Sequence, residues 1–192
     1  MQIMDAAFAD AARRAGSWLA CKPGCTQCCH GAFAMNALDA LRLQSGMEDL
    51  RRQNPEIAAK VSRRTQAWIT EHGPNFPGDL ASGLLGESEE EKEAFEDFAN
   101  EAACPALDPA TGCCDLYVAR PMTCRIFGPP VRTETEEGEA LGCCELCFQG
   151  ASEETIAACE MYPPHDLESR LLEELGESGE TVVALVLRDT PA

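Results

Sequence analysis

The sequence predicts a mainly α fold: a small helical domain with cysteine-rich loops and at most one or two short strands. Three observations carry that expectation. Apolar residues recur at helical spacing in several segments that open on Ser, Asn or Asp. The cysteines gather in Gly- and Pro-containing stretches outside those segments. Only one run, residues 182–187, is β-branched enough and short enough to suggest a core strand. A chain of 192 residues with 45% hydrophobic content fits one domain over 1–192, with a mobile loop near 72–90.

The elements follow in order. Residues 4–20 place Met4, Phe8, Ala11, Ala12, Ala15 and Leu19 on one helical face and Arg13 and Arg14 on the other. Asn36 suits the cap of a short helix over 37–44, with Ser45-Gly46 as its stop. A longer helix follows from about residue 48 to His72, with Leu50, Ile57, Val61, Trp68 and Ile69 on a broad apolar face and Pro55 as a kink or fresh start. Residues 72–90 mix glycine, proline and acidic side chains, the composition of a mobile loop. Ser88 caps a helix over 89–102 whose first-turn glutamates favour the positive end of the dipole, with Phe95 and Phe98 facing inward. The run 134–139 reads as a solvated acidic loop, not a carboxylate site. Ser152 and Asp166 each open a short helix, and the final VVALVLRD suggests one strand.

Charge narrows the function classes. Thirty-three acidic residues against 15 basic ones give a net charge of -18, which excludes a partner held by phosphate neutralisation. Neither nucleic acid nor membrane is expected as a partner. The first twenty residues lack the continuous apolar centre of a secretory signal, and no run approaches the ~20 apolar residues of a membrane span. A soluble, cytoplasmic protein is the expectation. A reducing cytosol does not preserve structural disulfides, so 12 cysteines require another explanation.

That explanation lies in their spacing. The first cluster, Cys21, Cys25, Cys28 and Cys29, brings thiolates from one tight loop toward a common metal ion, with Pro23-Gly24 supplying the bend. The adjacent His30 reads as a loop histidine. The second cluster contains Cys104, Cys113, Cys114 and Cys124, with Arg120 and Arg125 placed to hydrogen-bond sulfur or brace the loop. The third is Cys143, Cys144 and Cys147. Neighbouring side chains tend to diverge, so the pairs Cys28-Cys29, Cys113-Cys114 and Cys143-Cys144 point to two metals or a bridge. Principal ligands are expected at Cys21, Cys25, Cys28, Cys29, Cys104, Cys114 and Cys124, with Cys113, Cys143, Cys144 and Cys147 completing a second centre and Cys159 serving structure. Zinc or iron, the latter as a 4Fe-4S cluster, fits such donors.

The order of motifs resembles the YkgJ-type cysteine-cluster family, a zinc- or iron-chelating domain. The resemblance rests on Cys21, Cys25, Cys28 and Cys29, then Cys104, Pro105 and Leu107, then Cys114, Tyr117, Arg120, Pro121, Cys124 and Arg125. The three-residue gap between Cys21 and Cys25 and the cysteines at 113, 143, 144, 147 and 159 depart from that pattern. The resemblance implies a chelating domain.

Two other classes use the same thiols. Cys21-x3-Cys25-x2-Cys28 matches the spacing by which radical SAM enzymes hold a cluster, here in a small enzyme modifying a protein partner. Closely spaced thiols also suit redox exchange or copper storage, although storage bundles space cysteines along helices and these lie in loops. No nucleophile, general base or cofactor loop accompanies the cysteines, and His30, His72 and His165 lie far apart, so the balance is against an enzyme. A partner protein of unspecified identity remains compatible with the acidic surface.

Overall fold

The computed structural model describes residues 2–135 and 138–188. Among these, the helices are α1 (Gln2–Ala15), α2 (Ala37–Gln53), α3 (Pro55–His72), α4 (Glu89–Glu96), α5 (Met122–Ile126), α6 (Glu153–Ala157), α7 (His165–Leu175) and α8 (Val183–Val186). Three antiparallel pairs join β1 (Gly78–Asp79) to β2 (Leu84–Leu85), β3 (Leu107–Asp108) to β4 (Cys113–Cys114), and β5 (Val131–Thr135) to β6 (Gly138–Gly142). The class is mainly α, as the sequence predicts, while extended pairing exceeds the one or two strands expected. The chain sorts into two compact units: Met1–Lys22 with Met122–Arg170, and Pro23–Pro121 with Leu171–Ala192.

The second unit is built on α2 and α3. Asn36 caps α2 by accepting from the Asp39 N–H at 3.2 Å. Instead of stopping at Ser45-Gly46, α2 continues to Gln53. Gly46 is there for clearance: a Cβ at this position would lie 2.1 Å from the Cβ of Ala119. Pro55 begins a fresh helix, with the Asn54 side chain accepting from the Ile57 N–H at 3.2 Å. Ala58, Val61, Thr65 and Trp68 form the buried stripe of α3. Val61 joins Leu43, Met47, Leu116 and Leu187 in one core cluster, where each fully buried aliphatic side chain contributes about 1.5–3 kcal/mol before entropy is counted.

Residues 182–187 correct an expectation. Thr181 pairs with Met35 through two backbone hydrogen bonds of 2.9 and 3.0 Å, after which the chain turns into α8. Val182, Ala184, Leu185 and Leu187 are all buried, and a continuous apolar run carries no period that separates a buried strand from a buried helix. The stretch 73–86, expected to be unpacked, holds a 3-10 turn at Gly73–Asn75 and the β1–β2 hairpin. Phe76 anchors it, meeting Phe98 edge-on with centroids 5.8 Å apart. Ser88 and Glu91 form a reciprocal capping box for α4. That helix ends at Glu96, short of the expected 102, and Ala99 follows at φ 54.

In the first unit, α1 buries Met4, Ala11 and Ala15, and it ends in a 3-10 turn at Gly16–Trp18 earlier than expected. Arg125 of α5 is buried and paired with Asp5. The acidic loop expected over 134–139 is mostly hairpin, since β5 runs to Thr135 and β6 starts at Gly138; Glu136 and Glu137 lie outside the described residues. Val131 also bridges Met161, and Arg132 grips Glu160 with bonds of 3.0 and 2.6 Å. Ser152 caps α6 as expected. α7 begins at His165, one residue before the expected start. No described helix is long and apolar enough to cross a membrane.

Two predictions follow from this packing. Gly46→Ala gains about 1 kcal/mol of helix propensity but overpacks against Ala119, so a net loss of about 1–3 kcal/mol is expected in urea unfolding. Arg132 and then Tyr162 hold the Glu160 carboxyl below the usual carboxylate range. A depressed native value makes the stabilisation complete above the unfolded value and lost as pH falls through the native one. Glu160→Gln should therefore cost about 1–2 kcal/mol at neutral pH. The gap from the parent should close below about pH 4.

Candidate metal centre

In the second unit, backbone pairing brings the Cys28-Cys29 turn beside Cys104, and Cys114 follows on β4. A 3-10 turn at Gln27–Cys29, fixed by the Cys29 N–H donating to Thr26 O at 2.8 Å, brings Cys28 Sγ and Cys29 Sγ to 4.0 Å. These neighbours thus converge, contrary to the divergence expected of adjacent cysteines. His30 is exposed and pairs with Ala103 as an isolated antiparallel bridge. Beside it, the Cys104 N–H donates to Cys29 O at 2.7 Å. Leu107 of β3 stands opposite Cys114 of β4, and Cys104 and Cys114 both pack against the core cluster of Leu43 and Val61. Strand alternation sends Cys113 to the other face, where it is exposed, with its Sγ 3.8 Å from Thr111 O.

Arg64 fixes this arrangement. Its Nε donates to Pro105 O at 2.7 Å and its Nη2 to Asp115 Oδ2 at 2.5 Å, so one guanidinium clamps the residues that follow Cys104 and Cys114. Arg120 lies 3.9 Å over the Tyr117 ring. No spacing in the sequence points to Arg64, which sits on α3, 41 residues from Pro105 and 51 from Asp115.

The four thiols influence one another. Burial pushes Cys104 up to about 12, with Cys114 and Cys28 adding to it. Burial also raises Cys114, while Arg120 opposes the rise. The hydrogen bond with Cys28 raises Cys29 most, then burial and the charges of Cys28, Cys104 and Cys114. The same bond lowers Cys28 to about 6, with Arg120 contributing. Several thiolates together therefore require a cation among them. A tetrahedral ion with metal–sulfur bonds of about 2.3 Å spaces its sulfurs about 3.8 Å apart, close to the 4.0 Å between Cys28 and Cys29. Among the described residues no three His, Cys, Asp or Glu side chains stand as a finished ligand set. Cys104 and Cys114 thus do not stand with the pair as such a set.

The other sequence-derived candidates are distributed differently. Cys25 is half-buried in the second unit. Cys21 and Cys124 belong to the first unit, Cys124 within α5. Cys143, Cys144 and Cys147 are in the first unit as well, Cys144 and Cys147 buried with Cys159, and Cys21 packs on that cluster. Arg120 acts on the second unit's thiols, whereas Arg125, grouped with it by sequence, pairs with Asp5.

The chain belongs to the CxxCxxCC family, described as "Putative zinc- or iron-chelating domain", which matches residues 20–147. That span holds every cysteine except Cys159. No curated protein and no solved structure matches the chain. Metal binding is thus the general property, with zinc and iron as the ions named. Removing the Arg64 clamp should lower metal affinity by about 10–100-fold in chelator competition, because outer partners orient the ligands. Arg64→Lys should fail to restore it, since an ammonium lacks the fork that reaches both Pro105 and Asp115.

Proposed function

We propose that Cys28, Cys29, Cys104 and Cys114 bind a single zinc ion as a closed four-thiolate centre, and that the ion's role is structural. The observation that carries this reading is the 4.0 Å separation of the Cys28 and Cys29 sulfurs, the edge of one tetrahedron. In a cubane cluster each thiolate binds a different iron, so its sulfurs stand farther apart than two ligands of one ion. The same pairing weighs against a radical SAM centre, whose three-cysteine pattern makes no use of Cys29. Four filled positions leave no site for substrate or water, which favours a structural ion over a Lewis acid.

Charge supports the assignment. Four thiolates on a divalent ion leave a net charge of about -2, and Arg120 is the cation already acting on Cys28 and Cys114. When bound, the ion would supply the positive charge these thiols lack and cross-link the Cys28-Cys29 turn, the Cys104 loop and β4. A structural zinc contributes on the order of 10 kcal/mol in apparent terms, comparable with the ~5–15 kcal/mol stability of an entire domain.

The test is elemental analysis with a visible spectrum on protein purified without oxygen. Colourless protein is expected, with Cys28→Ser and Cys104→Ser each losing about one zinc per chain and melting at lower temperature. Brown protein containing iron and matching sulfide, or unchanged zinc in both variants, would overturn the proposal.

A further inference from the structure

We infer that Cys21, Cys143, Cys144 and Cys147 form a second, separate sulfur site in the first unit that takes a soft divalent ion. None of these residues belongs to the centre proposed above, so the two assignments stand or fall independently.

Gly128 is the point of convergence. Its carbonyl accepts from the Cys143 S–H at 3.3 Å and from the Cys144 N–H at 3.3 Å. On its other side, a Cβ at Gly128 would lie 2.7 Å from Cys21 Sγ. Only glycine leaves that room, and its φ of 128 is one that other residues rarely adopt. Cysteines from two distant segments therefore meet at one backbone residue. The turn Cys144-Glu145-Leu146-Cys147 closes with the Cys147 N–H donating to Cys144 O at 2.9 Å, the two-residue spacing that lets paired thiols grip one ion.

The surroundings suit a ligating sulfur. Ala20, the residue before Cys21, donates its N–H to Cys147 Sγ at 3.4 Å, and such bonds disperse charge on a ligating sulfur. Phe148 follows Cys147 at φ 54, held there by its N–H to Trp18 O at 2.8 Å. A non-glycine residue in that region is strained and persists only where its surroundings hold it. Cys144 and Cys147 are each 4% exposed, whereas Cys143 is exposed at the rim and offers an entry point. Four sulfurs are the number a tetrahedral ion takes, and binding would draw them together, since no three stand as a finished ligand set among the described residues. Cys159 is left as apolar packing, 2% exposed against Ala15 and Phe148.

The experiment compares metal content in the full chain purified without oxygen: parent, C28S/C114S, C144S/C147S and the single variant Cys143→Ser. Each double variant should lose about one equivalent and keep the other. In cobalt titration, Cys143→Ser, changed at the exposed rim, should retain the fold and lose one of two sulfur-to-cobalt charge-transfer steps. A C144S/C147S protein that folds with the parent's full metal content would overturn the inference. So would a cobalt titration of Cys143→Ser that matches the parent. A Cys144–Cys147 disulfide in the native parent, seen by alkylation and mass, would overturn it as well. Loss of metal from C144S/C147S with none from C28S/C114S would sustain this site and remove the zinc centre proposed above.

Discussion

The second unit's thiols depend on a short stretch of backbone pairing. His30 bridges Ala103, the Gly31 N–H donates to Ala102 O at 3.0 Å, and the Cys104 N–H donates to Cys29 O at 2.7 Å. These contacts join segments more than seventy residues apart, and without them the Cys28-Cys29 turn and the Cys104 loop have no reason to meet. Loop-closure entropy opposes such a meeting. It is overcome by what lies behind the pairing: Phe98 packed on Trp68 with centroids 5.7 Å apart, and Ala106 and Leu116 in the core with Leu43 and Val61. The hydrophobic core thus sets the backbone positions from which the sulfurs are presented.

Electrostatics gives the few cations unusual weight. With 15 basic residues against 33 acidic ones, each arginine spent near a thiol is one fewer against the acidic surface. Arg64 is used as a two-pronged brace on the residues following Cys104 and Cys114. Arg120 acts through space on Cys28 and Cys114. Neither neutralises the cluster, since Cys29, Cys104 and Cys114 remain raised. The two arginines supply orientation and partial compensation only.

Local signals made most of the fold legible in sequence. Asn36, Ser88 and Ser152 act through side-chain bonds to backbone only three residues away, so their type and position sufficed. Gly46 was misleading because a stopping glycine and a glycine at a close helix contact look alike; the difference lies in Ala119, which sequence does not place beside it. Residues 182–187 failed for a related reason, because burial on all sides erases the period that distinguishes helix from strand. How the cysteines group was not readable from their spacing. Cys21, Cys25 and Cys28 look like one loop, yet Cys21 belongs with the first unit and Cys28 with the second. Adjacency was equally ambiguous: a 3-10 turn draws Cys28 and Cys29 together, while a strand separates Cys113 from Cys114.

The two groups of thiols stand in different relations to their cores. In the second unit Cys104 and Cys114 lie at the edge of a cluster whose buried members are aliphatic, alanine and methionine side chains. There burial organises the frame first, and sulfur chemistry is added to a scaffold with its own driving force. In the first unit Cys144, Cys147 and Cys159 are themselves three of the five buried members of their cluster, beside Ala15 and Phe148. A thiol behaves as a small hydrophobe when protonated and as a costly buried charge when ionised without a partner. The same atoms therefore cohere as packing in one protonation state and repel in the other. Ionising Cys144 or Cys147 therefore calls for a compensating charge within that small core, whereas Cys159 serves it as packing alone.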